Sequence, residues 1–322
     1  MALAQESEYI PVSPRVLRPD SKGAFDLFLR RGDTFVLFNA AGRMFTNEKR
    51  EELLGDNAAT LYIESADLRD YNDYLKANIT EVLDDENIPV DERAKTWANT
   101  AKAMGQELFE KKLPGPAFAK RYKRFERLIQ STTNFLQSPK SLKHLSRFIG
   151  NGFDDYQHGL GTMVYTVCLM QEYDYDDHKL SACGMGALLH DIGKSGLPKA
   201  VLEKNPDDLT DDERSLLELH PMIGARTCAN FNLPTIGSNC ILFHHERADG
   251  TGYPTSAASD EVPLHTKIVS LCNVYDNLTR NRPGKDAVTP FEALKRIMDD
   301  DGLVDKDILK KFVKMLSQAE VV

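Results

Sequence analysis

Five of the eight histidines in this chain lie in or at the ends of predicted helices whose neighbouring residues are apolar. Rings in such positions point toward the interior of a helical protein rather than into water. Taken one at a time, each could be a core histidine with its own hydrogen bond. Burying several imidazoles beside a carboxylate is unfavourable, however, unless one shared partner compensates for all of them. The five residues are His158, His190, His220, His244 and His245.

The sequence around these histidines predicts helices and no strands. No alternating pattern of apolar and polar residues appears after about residue 140. Thr210-Asp-Asp-Glu213 is a capping box, and Thr289-Pro290 matches a helix cap followed by the first helical position. We therefore predict an all-α domain over residues 140–322.

The first 82 residues have a different composition. FDLFLRR (25–31), TFVLFN (34–39) and TLYIE (60–64) are typical of strands, and Gly32-Asp33 and Ala41-Gly42 supply turns between them. Ser65 is expected to cap the helix that follows. We predict a small N-terminal α+β domain, so the chain is α+β overall. A sensory role is a hypothesis for this domain, to which we assign no chemistry.

Residues 83–139 are predicted to form a helical connector. Two apolar stripes with alternating spacings of four and three residues flank the break LPGP (113–116), and they most simply pack as a hairpin. The alternative is that they form the seam of a homodimer. The stripes consist of Val90, Ala94, Trp97, Ala101, Met104 and Leu108, and of Phe118, Tyr122, Phe125, Ile129, Thr132 and Leu136.

Composition limits the classes of function. A net charge of -9 argues against binding to a nucleic-acid polymer, which requires many neutralised phosphates. The start of the chain lacks a leader pattern, and no segment approaches the roughly 20 apolar residues of a membrane span, so we expect a cytoplasmic protein. The five cysteines form no CxxC pair, which favours reduced core thiols over a zinc knuckle.

The histidines and Asp191 together indicate a metal centre. Imidazole and carboxylate ligands without thiolate suit iron, manganese or zinc. Because Asp191 directly follows His190, its carboxylate can bridge two ions. Two ions about 3.5–4 Å apart are the usual arrangement for in-line attack on a phosphodiester. The pattern therefore favours hydrolysis at phosphorus.

Two motifs carry a resemblance to a known family. LLHDIGK (188–194) and HHERADGTGYP (244–254) resemble the HD-GYP family, the metal-dependent HD phosphohydrolases that hydrolyse cyclic di-GMP. The resemblance runs from about His158 to Lys285. It implies an HD-type helical bundle and hydrolysis to pGpG, with GMP as an open second step. It also implies attack by a hydroxide held between two metal ions and, by analogy, a diguanylate cyclase as a partner.

The same resemblance implies roles for individual residues. Asp191 would be the bridging catalytic carboxylate, and Lys194 would contact a phosphate or protonate the departing oxygen. Tyr253, Arg282 and Lys285 match positions that hold the substrate's phosphates. Glu246, Asp249 and Gly250 are expected to shape the loop that carries Tyr253, with Gly250 and Gly252 allowing positive φ. The implied metal ligands are His158, His190, Asp191, His220, His244 and His245.

The chain departs from the family pattern at two positions. Members usually carry a ligand aspartate in a segment ADxxDAL, whereas this chain has LCNVYDNLT, with Asn273 at the ligand position. Asp276 matches the second aspartate and does not replace the first. A neutral amide oxygen should weaken one metal site, so the alternative is a binding or docking module with reduced or no activity.

The second departure concerns the number of ions. Asp154 stands where members with a third metal carry glutamate, which leaves both two and three divalent ions open. Iron is the first expectation for their identity, manganese the second, and other transition metals remain alternatives.

Overall fold

The computed structural model describes residues 8–55, 60–109, 115–150, 152, 154–205, 208–230, 233–282 and 285–322. The chain divides into two units, Met1–Ala103 and Met104–Val322. The predicted division at residues 82 and 139 stays a prediction, because the boundary between these units falls within a helix, Val90–Phe109.

The first unit contains the predicted α+β structure. A four-stranded antiparallel sheet has the strand order β1-β6-β3-β4, and β2 pairs with β5. Gly32 and Gly42 have φ of 62° and 73°, as their predicted turns require. The elements are β1 (Tyr9–Val12), β2 (Ser21–Lys22), β3 (Leu27–Arg31), β4 (Thr34–Asn39), β5 (Met44–Phe45), α1 (Asn47–Gly55), β6 (Leu61–Glu64) and α2 (Leu68–Asp84).

The prediction for Ser65 is wrong. This serine begins a 3-10 turn, Ser65–Asp67, and α2 begins three residues later at Leu68. The Ser65 hydroxyl donates to the backbone carbonyl of Glu8 at 2.9 Å instead of accepting from the helix. A hydrogen bond to a distant part of the chain has thus replaced the local cap.

The two predicted apolar stripes lie on helices α3 (Val90–Phe109) and α4 (Gly115–Phe135). The break between them lies outside the described residues, so the hairpin and the dimer seam both stay predictions. Within the second unit, α4 packs against α7. The stripe residues buried in the structure are Ala94, Trp97, Ala101, Met104, Leu108, Tyr122, Phe125, Ile129, Thr132 and Leu136.

The second unit is helical, as predicted, and its described residues from 140 onward include no strand. Both predicted caps are present, since Thr210 and Glu213 form a capping box and the Thr289 hydroxyl accepts from the amide of Glu292. The helices are α5 (Pro139–Ile149), α6 (Asp155–Met170), α7 (Asp177–Leu189), α8 (Lys199–Leu202), α9 (Asp211–Leu217), α10 (His220–Ala229), α11 (Thr235–Phe243), α12 (Leu264–Leu278), α13 (Pro290–Asp299) and α14 (Lys306–Gln318).

Helix α6 is the centre of this unit, and α7 and α12 pack against it. Glycine permits two close approaches. A Cβ on Gly159 would lie 2.2 Å from the carbonyl oxygen of Leu188, and one on Gly161 would lie 1.9 Å from a carboxylate oxygen of Asp276. Because His158 precedes Gly159, this packing brings it near the end of α7 and the middle of α12.

A third close approach places α10. Its first residue, His220, lies over the 3-10 turn Ile192–Gly196, and a Cβ on Gly193 would be 1.9 Å from the His220 carbonyl oxygen. All five cysteines are free and buried, as expected of reduced core thiols. Among the described residues, no helix is both long enough and apolar enough to span a bilayer.

Candidate metal centre

The predicted metal-ligand residues lie at helix ends that converge on one buried site. His190 is the C-cap of α7 and Asp191 the N-cap of the following 3-10 turn, while His220 begins α10 and His244 is the C-cap of α11. His158 lies in the first turn of α6. The four rings of His158, His190, His220 and His244 are all at most 2% exposed.

The carboxylate of Asp191 lies between two groups of imidazoles. Its Oδ2 is 3.4 Å from His190 Nε2 and 3.8 Å from His158 Nε2. Its Oδ1 is 3.2 Å from His220 Nε2 and 3.8 Å from His244 Nε2. His245 completes the second group, whose candidate ligand atoms all lie within 4.8 Å of one another. Each oxygen of Asp191 thus faces one group.

Hydrogen bonds on the outer side of three rings fix which nitrogen carries the proton. The Nδ1 atoms of His190, His220 and His244 each lie 2.7 Å from the backbone carbonyl three residues earlier. A carbonyl oxygen only accepts, so Nδ1 is the donor in each ring. In the neutral ring, Nε2 therefore points into the site as an unprotonated lone pair.

His158 is oriented by a carboxylate instead. Its Nδ1 lies 2.6 Å from Asp276 Oδ2, so this nitrogen is also the donor. Burial lowers the pKa of His158 to about 4, although Asp276 opposes the shift. Burial also lowers the pKa of His244 well below its ordinary value. Both rings are therefore neutral near pH 7, and their Nε2 atoms are bare.

When the rings are neutral, inward-facing Nε2 atoms this close together repel one another unless a cation lies among them. The Nε2 atoms of His158 and His190 are 3.1 Å apart, and those of His220 and His244 are 3.2 Å apart. The buried Oδ1 of Asp191 has no hydrogen-bond partner among the described residues. Lone pairs converging from imidazoles and a carboxylate match the donor set of a transition metal. The site is thus a histidine and aspartate cluster able to bind metal ions.

Lys194 is placed beside the shared carboxylate. Its Nζ lies 2.5 Å from Asp191 Oδ2, and its side chain is 20% exposed, which leaves it accessible from the mouth of the site. Burial raises the pKa of Asp191, but the Lys194 ammonium and His190 outweigh burial and hold it well below its ordinary value. Asp191 is therefore ionised.

The loop after His245 carries Tyr253 over the second group. The Tyr253 ring stacks on His245 with 4.5 Å between ring centroids, and its amide donates to the His245 carbonyl. Gly250 has a φ of 74°, as predicted. Gly252 does not have positive φ, contrary to expectation. A glycine is required at position 252 because a Cβ there would lie only 2.5 Å from the His245 carbonyl oxygen.

Glu246 shapes this loop, as the sequence predicts. Its side chain is buried, and its carboxylate accepts hydrogen bonds from the Thr255 amide and hydroxyl at 2.7 Å each and from the Ala257 amide at 3.1 Å. Asp249 accepts from the Thr251 amide at 3.0 Å. These bonds close the turn that positions Tyr253.

Replacing Glu246 with alanine should therefore lower the free energy of unfolding by about 2 kcal/mol, because buried donors lose a charged acceptor. Glu246→Gln keeps one acceptor oxygen and should lose about half as much. Chemical denaturation of both variants measures the difference. Equal stability of Glu246→Ala and the unmodified chain would contradict the role assigned to the carboxylate.

The remaining predicted site residues are Asn273, Arg282, Lys285 and Asp154. Asn273 is buried in α12, with its Oδ1 2.9 Å from His158 Nε2. Arg282 is half-buried, and burial lowers the pKa of its guanidinium, opposed by Asp191. Lys285 is exposed and meets Arg282 through backbone hydrogen bonds. Asp154 is an exposed residue just before α6 and belongs to neither ligand group, so its assignment as a metal ligand stays a prediction.

The structure adds a polar stripe on α12 and the residues after it. Asp276 holds His158, Arg280 donates to both oxygens of Asp276, and Asn277 donates to Asn273. The sequence contains a signal for this stripe, because residues 273, 276, 277 and 280 share one face of a helix. That face carries the polar residues of the C-terminal half of the helix.

Comparison with known proteins agrees with this geometry. A family model for the HD domain matches residues 123–308. The cyclic di-GMP phosphodiesterase PA4108 of Pseudomonas aeruginosa is 33% identical over 184 residues, 57% of this chain and 44% of that protein. The cyclic di-GMP phosphodiesterase response regulator RpfG of Xanthomonas campestris is 40% identical over 112 residues, 34% of this chain and 29% of that protein. The matched segments thus span less than half of either relative.

One solved structure matches nearly the whole chain. It is Bd1817, an HDG"Y"P protein from Bdellovibrio bacteriovorus, with a TM-score of 0.65, covering 96% of this chain and 100% of that one. At 22% identity this likeness concerns the fold. The named relatives are consistent with the predicted HD-GYP branch. With its buried histidines, its shared aspartate and a family match over more than half its length, the chain belongs to the HD domain family.

Proposed function

We propose that this chain is a metal-dependent phosphodiesterase that hydrolyses cyclic di-GMP to pGpG. The observation that carries the proposal is the position of Asp191, whose two oxygens face two separate groups of imidazole nitrogens. A carboxylate placed in this way can bridge two cations. Two cations held side by side are suited to in-line displacement at phosphorus.

The two groups define where the ions would bind. His158, His190 and Asp191 would hold one ion, and Asp191, His220, His244 and His245 the other. Divalent ions at these sites would supply Lewis acidity toward a phosphate and activate the attacking water. Iron(II) and manganese(II) suit these nitrogen and oxygen donors. The proposal is therefore a centre of two such ions, with iron as the first candidate.

The chain's own residues would bind and orient the substrate at the mouth of this centre. Lys194 already pairs with Asp191, so its ammonium is placed to contact a phosphate and to donate a proton to the departing 3′ oxygen. Tyr253 lies over His245, where its hydroxyl can hold a phosphate oxygen. Arg282 lies within electrostatic reach of Asp191 and would neutralise phosphate charge, with Lys285 farther out.

Cyclic di-GMP is proposed on two grounds. Two curated relatives that match the chain are named as cyclic di-GMP phosphodiesterases, and the segment HHERADGTGYP is complete in this chain. The loop built on that segment is well defined, because Glu246 and Gly250 fix it and Tyr253 stacks within it. Substrate recognition is thus proposed to be intact even though Asn273 departs from the family pattern.

The proposal is tested by loading the anaerobically purified protein with Fe(II) or Mn(II) and separating the products of cyclic di-GMP by chromatography. We expect pGpG, with turnover lost after chelation and restored by the same metal. Elemental analysis of the same sample should give about two ions per chain.

Two results would contradict the proposal. Absence of product with every metal, together with micromolar binding of cyclic di-GMP, would identify a binding module instead. Turnover that survives complete removal of metal would rule out the metal centre as the origin of the activity.

A further inference from the structure

Asn273 presents its amide oxygen to a ring nitrogen of His158. Oδ1 of Asn273 lies 2.9 Å from Nε2 of His158, and the residue is 2% exposed. Because Nδ1 of His158 donates to Asp276, Nε2 carries a lone pair in the neutral ring, and the amide oxygen carries lone pairs as well. Lone pairs of these two atoms at this distance can converge on one cation. Asn273 is therefore oriented as it would be around a bound metal ion.

A neighbouring amide fixes this orientation. Nδ2 of Asn277 donates to Oδ1 of Asn273 at 2.8 Å, one helical turn along α12. An asparagine amide has one oxygen and one NH2 group, so a rotated Asn273 would direct hydrogens instead of a lone pair at a cation. With Asn277 donating, the oxygen stays on the side of His158.

The first ligand group needs such an oxygen. It contains His158, His190 and the shared Asp191, whereas the second contains Asp191 and three histidines. Transition-metal sites of this kind use at least four ligands, and the first group has one protein ligand fewer than the second. Asn273 is the buried residue whose oxygen lies next to His158 Nε2.

We infer that Asn277 is a positioning residue that holds Asn273 as a neutral oxygen ligand of the ion bound by His158 and His190. This inference rests on the proposed metal centre. In the segment ADxxDAL the position of Asn277 is alanine, and the ligand is a carboxylate. A carboxylate has two equivalent oxygens and is drawn to a cation by its charge, so it needs no donor to orient it. In this chain the two asparagines act together.

The first measurement is a calorimetric titration of metal-free protein with Mn(II) under anaerobic conditions. Asn277→Ala should weaken one of the two binding events by about 10-fold and leave the other unchanged, because loss of a residue that orients a ligand has effects of this size. Asn134→Ala is the matched control, since Asn134 is an exposed asparagine on helix α4. It should bind as the unmodified chain does.

The second measurement separates orientation from general damage to the fold. Asn273→Asp should tighten the weaker event by about 10-fold or more, because a charged ligand replaces a neutral one. In the Asn273→Asp background, Asn277→Ala should then change that affinity by less than about 2-fold. The coupling between the two positions is the quantity that the inference predicts.

An equal loss from Asn277→Ala in both backgrounds would overturn the inference, as would no loss in either. These titrations contain no substrate, so they do not depend on cyclic di-GMP hydrolysis. A chain that binds two ions with the predicted coupling and hydrolyses nothing would contradict the proposed function and leave the role of Asn277 intact.

Discussion

Asparagine in place of Asp191 should reduce hydrolysis of cyclic di-GMP at least about 100-fold and lower the metal content of the purified protein. The side chain keeps its size, but only one of its two inner atoms is then an acceptor. Since each oxygen of Asp191 faces a different imidazole group, both groups are affected by one substitution. Elemental analysis measures the metal content, and product chromatography at saturating Mn(II) measures the rate.

Asp177→Asn is the matched control for this experiment. Asp177 is exposed in the first turn of α7, the helix that ends at His190, and it faces none of the candidate ligands. Its metal content and rate should equal those of the unmodified protein. If Asp191→Asn bound two ions per chain with unchanged affinity, the carboxylate would not bridge the two groups.

The convergence of the five histidines could be predicted from the sequence, and the physical reason is desolvation. Each ring lies among apolar residues, so burial was expected, and only a shared site offered compensation for all of them. Close packing at glycines provides the convergence itself. Gly159 lets His158 approach the end of α7, and Gly193 lets Asp191 lie beneath His220.

Other features could not be predicted because distant contacts decide them. Ser65 has the composition of a helix cap, but its hydroxyl binds a carbonyl more than fifty residues away. Asp154 matches a family ligand position, yet it lies before the first turn of α6, on the exposed side. For Ser65 the three-dimensional environment supplies a partner other than the helix, whereas the role of Asp154 as a ligand stays a prediction.

The partner of His158 was also beyond prediction. The sequence indicated that Asp276 does not replace the missing ligand aspartate. In the structure Asp276 binds Nδ1 of His158, 118 positions away, and this contact depends on how α12 lies against α6. That packing needs Gly161, because any side chain there would overlap Asp276. The sequence shows the glycine, but only the structure shows what approaches it.

Replacing Arg280 with methionine should lower the free energy of unfolding by about 3–5 kcal/mol, the usual result of removing one partner from a buried ion pair. Arg280 and Asp276 are each 1% exposed, and the guanidinium donates to both carboxylate oxygens at 2.9 and 3.0 Å. It also donates to the carbonyls of Ile149, Gly152 and Gln157. Methionine fills much of the space but leaves these acceptors and the Asp276 charge without a donor.

The chain provides a control with the same chemistry on its surface. Arg296 and Glu292 form an Arg–carboxylate pair with the same spacing of four residues at 3.1 Å, but their side chains are 49% and 40% exposed. Arg296→Met should therefore change stability by less than about 1 kcal/mol. Urea denaturation of both variants tests the comparison, and equal small losses would show that burial does not strengthen the Arg280 pair.

A second measurement separates the stability of the fold from the orientation of His158. Burial raises the pKa of Asp276, but Arg280 and His158 together outweigh burial and lower it, so the guanidinium helps to keep the carboxylate that accepts from His158 ionised. Without Arg280, the pKa of Asp276 should rise, and a protonated Asp276 would no longer accept from His158 Nδ1. In the absence of urea, where the Arg280→Met protein is still folded, it should therefore bind Mn(II) about 10-fold more weakly at one of its two sites. Arg296→Met should bind Mn(II) as the unmodified protein does.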